Sequence, residues 1–303
     1  MSKISQVEAL PTQELTIVPR RNLGRIIAGV LVTAFLVWVA VSFANAQIDW
    51  GTVRHYLTVP VLIRGAGTAV VLTIVAMLLG VVLGIVTAVM RLSTNRVVFG
   101  VAWLYLWIFR GTPVYVQLLV WFNISLIFPY FGIPGVFEAR TIDFLTPFIA
   151  ATIALGLNQG AYASEIVRAG ILSVDEGQIE AAKAIGMSQM MLMRRIILPQ
   201  AMRVIVPPLG NELIGMLKTT SLASAIGVTE ILSEAQHIYF VNSRIMELLI
   251  VCSIWYLAVV TVMTAGQFYV ERHFAKGASS KVLPLTPIQQ IKQFFGAKRR
   301  ASL

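Results

Sequence analysis

Seven residues of this 303-residue chain stand out as polar or charged groups within apolar surroundings: Arg110, Gln117, Asn158, Gln159, Asn211, Lys218 and Ser221. Such groups are costly in hydrocarbon, so each needs a functional or a packing reason. Asn211, Gly215, Lys218 and Ser221 fall at steps of four, three and three, one stripe of a helix. That stripe predicts a polar path offering a cation to a carboxylate. The alternative is that Lys218 pairs with an acid or reaches for the membrane interface. Glu212 is expected on another face, near Arg203. Arg110 either clamps a carboxylate with its planar fork or anchors a helix at the inner interface. Gln117, Asn158 and Gln159 offer hydrogen bonds to a small polar molecule or to neighbouring helices. All of these are groups for binding. No G-x-x-x-x-G-K-[ST], H-E-x-x-H or G-x-S-x-G is present, and His55, His237 and His273 are scattered. With one cysteine, Cys252, neither an intrachain disulfide nor a cysteine metal site forms. No metal, cofactor or catalytic role is expected of this chain.

The elements that position these groups are membrane helices. The chain is 57% hydrophobic and 13% charged, too few charges to cover a soluble domain. Uncharged runs at 26–48, 65–90, 111–137, 144–164 and 248–270 each reach the roughly 20 residues a span needs. A sixth, 204–229, is interrupted by Glu212 and Lys218. The fold class is an all-α polytopic membrane protein, a helical bundle of about six spans. Residues 97–109 are too short to span alone. The favoured reading is one continuous, proline-kinked element reaching about Phe128; the other is a surface helix entering the bilayer at Arg110-Gly111-Thr112-Pro113. Gly80 with Gly84, and Gly156 with Gly160, predict close helix packing.

Six spans put both termini on one side. Of the 24 lysines and arginines, nineteen fall on that side, four (Arg54, Arg64, Arg140, Arg244) on the other, and Lys218 within a span. The bias places both termini and the polar segment 165–203 in the cytoplasm of a multi-pass protein. It also absorbs the net charge of +10, so no nucleic-acid partner is expected. The organisation read from this is a cytoplasmic tail at 1–25, an extra N-terminal span at 26–48, a core at 60–272 and a basic tail at 273–303. In that tail Ile288, Ile291, Phe294 and Phe295 lie at helical spacing beside Lys292, Lys298, Arg299 and Arg300. They suit a helix on membrane lipid or a solvated tail. Ala44-Asn45-Ala46 gives the first span a rival reading as a cleaved leader.

Segment 165–203 holds nine charged residues. Glu165 and Arg168, three apart, form an ion pair. Ser173 or Asp175 caps a helix that Gly186 ends in the left-handed conformation. Ser188 caps a second helix through the Met-rich 190–193 to Leu198, where Pro199 stops it. Ala181, Ala182 and Ala184 allow close approach, and Met187, Met190, Met191 and Met193 form an adaptable apolar face. The segment is a docking surface, or else a charged loop lying on the membrane.

Glu180-Ala181-Ala182, Gly186, Ile196 and Leu198-Pro199 have the spacing of the EAA loop, and in this the chain resembles the permease subunits of bacterial ABC importers. Arg110-Gly111-Thr112-Pro113-Val114-Tyr115-Val116-Gln117 is similar to a segment of their polar amino acid subfamily. So are Asn158 to Gly170, Pro207 to Glu212, and Leu217-Lys218-Thr219-Thr220-Ser221-Leu222. Together they cover about 60–272. The chain departs in its extra first span, and in Thr219, where many relatives carry an acid or asparagine. The resemblance implies an amino-acid permease of the bacterial plasma (inner) membrane. It implies ATPase subunits docked on Glu180, Ala181, Ala182, Gly186, Ile196, Leu198 and Pro199, with ATP and Mg held in those partners. A second permease subunit, identical or different, and a periplasmic or extracellular amino-acid-binding protein complete the assembly. The competing class is an ion-coupled secondary transporter or channel, which needs no ATPase.

Overall fold

The computed structural model describes residues 23–133 and 137–275; the tails expected at 1–22 and 276–303 lie outside them. The chain divides into two units, 1–48 and 49–303. The first is a helix, α1 (Leu23–Ala44), that exposes Leu31, Phe35 and Trp38. A helix apolar on all sides is built for hydrocarbon.

The second unit opens with α2 (Trp50–Tyr56), whose N-cap Asp49 accepts from the Gly51 and Thr52 N–H groups. Next come α3 (Pro60–Arg91), α4 (Arg96–Gly111) and α5 (Val114–Phe122). A 3-10 turn leads to an antiparallel hairpin, β1 (Tyr130–Ile133) and β2 (Phe137–Arg140), with Tyr130 opposite Arg140. One turn of helix, α6 (Thr141–Phe144), precedes α7 (Pro147–Leu172). Then follow α8 (Glu176–Ala184), α9 (Gln189–Leu192), a π-helical turn at Met193–Ile197 and α10 (Leu198–Thr219). A 3-10 segment (Thr220–Ile226), α11 (Ile231–Asn242) and α12 (Ile245–Ala275) complete the unit.

The spine is α3 against α7, and glycine sets their distance. A Cβ on Gly80 would stand 2.8 Å from the Gln159 side chain, and one on Gly84 2.6 Å from the Ala163 Cβ. From the other side, Gly156 faces Leu79, and Gly160 faces Leu83 and the Tyr105 hydroxyl. The expected glycine pairs therefore do pack helices closely. Because 80 meets 159 and 84 meets 163, the two helices run parallel, and α4 and α5 carry the chain back between them. Overpacking such a contact costs about 1–3 kcal/mol. Gly84→Val is accordingly expected to lower the melting temperature of the detergent-solubilised protein, with Gly67→Val, which meets open space, as the control.

Leu72, Ala76, Leu118, Ala151, Leu155, Met216 and Ile226 form one buried cluster joining α3, α5, α7 and α10. A second joins α8 and α9 to the bundle through Ala88, Val167, Val174, Ala182, Leu192, Ile197, Ala201 and Ile205. At the N-terminus of α11 the Glu230 carboxylate is fully buried. It accepts from the Ser233 N–H at 2.9 Å and the Tyr256 hydroxyl at 2.6 Å. Tyr256→Phe removes one of these donors, at a cost of about 1–3 kcal/mol. The expected result is a lower melting temperature with the helical circular-dichroism spectrum retained.

The all-α membrane bundle stands with its span count approximate, and three expectations change. Among the described residues, three helices are long and apolar enough to cross a membrane (Ile26–Ala44, Pro60–Arg91, Ile245–Phe274), and the bent pair α4 and α5 makes up to four. Helices α7, with 26 residues, and α10, with 22, reach about 39 and 33 Å. Asn158, Gln159, Glu165 and Arg168 dilute the first, and Arg203, Glu212 and Lys218 the second. Run 111–137 is no single span, because it contains α5, a 3-10 turn and a strand. The continuous kinked element is instead two helices bent by 104° at the break. Thr112 is extended there, as a residue before proline prefers, and Pro113 caps α5. Finally, Pro199 does not stop a helix. The wide π turn just before it accommodates the missing N–H and the ring, and α10 continues.

Candidate functional site

A cavity of about 330 Å³ opens where α5, α7 and α10 meet at the break, lined by Thr112, Pro113, Val114, Leu155, Asn158, Gln159, Tyr162, Glu212, Gly215, Met216 and Thr219. Glu212 is the one charged side chain in that lining. Its Oε2 accepts from Gln159 Nε2 at 3.2 Å. Thr219 Oγ1 is turned to the Gly215 carbonyl at 3.1 Å. The cavity thus holds one carboxylate, two amides and a phenol on apolar walls. A concave space with a few converging polar groups has the general character of a small-molecule pocket.

The break itself is braced by side chains. Gln117 is buried, and its Nε2 donates to the Phe109 carbonyl at 2.9 Å and to Thr112 Oγ1 at 2.8 Å. Asn158 Nδ2 donates to the same Phe109 carbonyl at 2.8 Å and to Gln117 Oε1 at 3.2 Å. These bonds satisfy backbone groups freed where the helix breaks, as a lipid environment demands.

Of the seven polar residues singled out by sequence, Asn158 and Gln159 line the cavity. Gln117 lies behind it, holding the break. Arg110 Nη1 lies 3.4 Å from Glu165 Oε1, and its guanidinium sits 5.2 Å from the centre of the Tyr162 ring. Asn211 accepts from Gln267 at 3.1 Å, outside the cavity lining. Lys218 is exposed. Ser221 belongs to the 3-10 segment, where its hydroxyl donates to the Lys218 carbonyl. Of the stripe Asn211, Gly215, Lys218 and Ser221, only Gly215 lines this cavity. The lining stripe is Glu212, Gly215, Met216 and Thr219, rotated by about one residue, or 100°. Glu212 escapes the sequence reading because its partner is Gln159 of α7 and not a residue of its own helix. Its spacing of seven from Thr219 carried the signal.

Beside the cavity, Glu165 binds Arg91, Arg110 and Arg168, the last at 3.2 Å and three residues away as expected.

The polar loop is two short helices around a turn. Asp175 caps α8 by accepting from the Gln178 N–H. Gly186 has φ +76°, and two bonds close the helix end, Gly186 N–H to the Lys183 carbonyl and Met187 N–H to the Ala182 carbonyl. Ser188 caps α9. Glu180, Ala181 and Gly186 are exposed, while Ala182 is buried against the bundle. Leu198 and Pro199 are exposed and Ile196 is half-buried. Ile185 and Met190 stand 79% and 77% exposed at the tip. Gln200 Nε2 donates to Gln178 Oε1 at 2.7 Å, tying α8 to α10.

Apolar helices surround a small polar cavity, and a structured polar loop is fixed to a cavity-lining helix, which makes the chain a polytopic membrane component. The chain belongs to the family of binding-protein-dependent transport system inner membrane components, whose model matches residues 80–276. Members are multi-pass permease subunits of the plasma membrane. The chain is 46% identical to the arginine transport system permease protein ArgU of Corynebacterium glutamicum, over 86% of this chain and 83% of that one. It is 34% identical to the glutamine transport system permease protein GlnP of Escherichia coli, over 72% and 94%. A solved structure of an amino acid ABC transporter with histidines superposes with a TM-score of 0.65, at 35% identity, covering 75% of this chain and all of that one.

Proposed function

We propose that this chain is the permease subunit of an ABC importer for an amino acid, with ATPase subunits docked on the α8–α9 loop. The observation that carries this reading is the continuity of α10. One end of it is bonded to α8 through Gln200, and the other lines the cavity with Glu212, Gly215 and Thr219. Motion of a docked ATPase is delivered along α10 to the solute. In this reading Glu180, Ala181, Gly186 and the exposed Ile185 and Met190 meet the ATPase, which holds ATP and Mg. Both termini and the loop face the cytoplasm, as the basic-residue bias requires. A binding protein delivers solute from the other side, and a second permease subunit closes the path. Glu212 receives the ammonium or guanidinium group of the solute, with Asn158 and Gln159 orienting it. Relatives of this chain carry solutes as different as arginine, cystine and glutamine in their names. An acceptor in the cavity suits the cationic group that all of these share.

The test is uptake of radiolabelled arginine into proteoliposomes holding the full complex of permease, ATPase and binding protein. Uptake is expected only with ATP on the loop side. Uptake driven by a proton or sodium gradient with no ATPase present would favour a secondary transporter and sink this reading.

A further inference from the structure

Beside the solute cavity, α4 and α7 enclose a second, open cleft of about 420 Å³, bordered by Arg91, Trp103, Trp107, Arg110, Tyr162 and Glu165. Its charges do not balance. Arg91, Arg110 and Arg168 all converge on the single carboxylate of Glu165, which leaves two positive charges in excess. Arg91 is only 16% exposed, and among the described residues its buried Nε–H finds no acceptor. Arg110 is 44% exposed at the cleft mouth. Excess cations beside hydrocarbon call for an anion.

The geometry of α4 says where that anion comes from. A 16-residue helix is about 24 Å long. Were α4 to run straight back along α3, Arg110 would stand far from Arg91. Both instead reach one carboxylate, so α4 crosses the bundle obliquely. Its outer face exposes Val97, Val101, Trp103, Leu104 and Trp107. The two indoles stack at 6.4 Å with an 8° interplanar angle. Apolar face, tryptophan pair and arginine cleft are continuous, the arrangement expected of a helix lying against a lipid leaflet at headgroup level.

We propose that this cleft binds the phosphate of an anionic phospholipid, with Arg110 and Arg91 on the phosphate and the acyl chains along Trp103, Trp107 and Val101. The cleft volume suits a phosphate with part of its glycerol. A zwitterionic lipid brings a compensating cation and is held less well. A bound lipid here neutralises the arginines that also orient Glu165, one helical turn from Tyr162 on the wall of the solute cavity.

The experiment is native mass spectrometry of the purified full chain in detergent, titrated with dioleoyl phosphatidylglycerol or dioleoyl phosphatidylcholine. Phosphatidylglycerol is expected to be retained preferentially. The variant R110Q is expected to lower that retention about fivefold, the worth of one juxtamembrane cation. Trp103→Gln with Trp107→Gln, both on the exposed face, is expected to lower it as well, and serves if R110Q fails to accumulate. Equal retention of the two lipids overturns the proposal, as does retention unchanged by these variants. Displacement of the lipid by millimolar inorganic phosphate likewise overturns it, since the site would then be one for a soluble anion.

Discussion

Gly186→Pro is expected to reduce ATP-driven uptake at least 100-fold while the protein still reaches the membrane. Proline fixes φ near −65°, whereas Gly186 sits at +76° and uses its N–H to close α8 onto the Lys183 carbonyl. The substitution thus removes both the conformation and the bond, at a cost of about 3 kcal/mol or more. Each 1.4 kcal/mol lost from the docking-competent loop is about tenfold in its population. The core is spared, because nothing lies within 4 Å of where a Gly186 Cβ would be. A graded series makes the test sharp. Gly186→Asn, which tolerates the left-handed region, is expected to transport nearly normally, and Gly186→Ala to fall in between at about fivefold down. Uptake and ATPase activity of reconstituted complexes give the readout. Proline and asparagine variants that behave alike would dissociate the loop from coupling.

Glu212→Gln is expected to lower the maximal uptake rate by about 10- to 100-fold, the worth of a hydrogen bond to a charged group in a half-buried site. Glutamine keeps the shape and can still pair with Gln159, so folding is preserved. What is lost is the one negative charge in the cavity lining. The binding protein, in the proposed assembly, sets the concentration dependence, so the defect belongs in the maximal rate. Lys218→Gln is the matched comparison. Lys218 is exposed and absent from the lining, and its loss is expected to leave the rate within about twofold, the range of an ordinary surface change. Equal defects in the two variants would return the path to the Lys218 stripe.

The bundle was legible where one physical rule dominates. Long uncharged runs gave α1, α3 and α12, because hydrocarbon leaves few alternatives to helix. The loop was legible because caps and a left-handed glycine are local signals, and Asp175, Gly186 and Ser188 each act within three residues. The glycine pairs gave close packing, though not the parallel sense of α3 and α7, which depends on the path of the whole chain. Other features depended on tertiary context. The 104° break at Thr112 and Pro113 is stable because Gln117 and Asn158, one of them 49 residues from the Phe109 carbonyl it serves, satisfy the freed backbone. The hairpin after α5 is apolar enough to read as more span. Pro199 reads as a stop unless the π turn before it is known. Glu212 lies off the polar stripe by one residue of rotation in α10, and only the packing of α10 on α5 and α7 turns its face to the cavity.

The hydrogen bond between Gln178 and Gln200 has a mechanical consequence. It ties a nine-residue helix to the base of a 22-residue one, so that in the proposed coupling α8 would be the handle of an arm about 33 Å long, interrupted at its middle by Pro207 and Pro208. Each degree by which the handle is tipped swings the Thr219 end of that arm by about 0.6 Å. On a straight arm a tilt of about 10° would move the cavity wall by about 6 Å, and a bend at the prolines would change that figure. In the proposed coupling, rotations at the loop become larger displacements in the bundle, and the Gln178–Gln200 bond, the buried packing of Ala182 and the two prolines of α10 together set how much of the stroke is delivered.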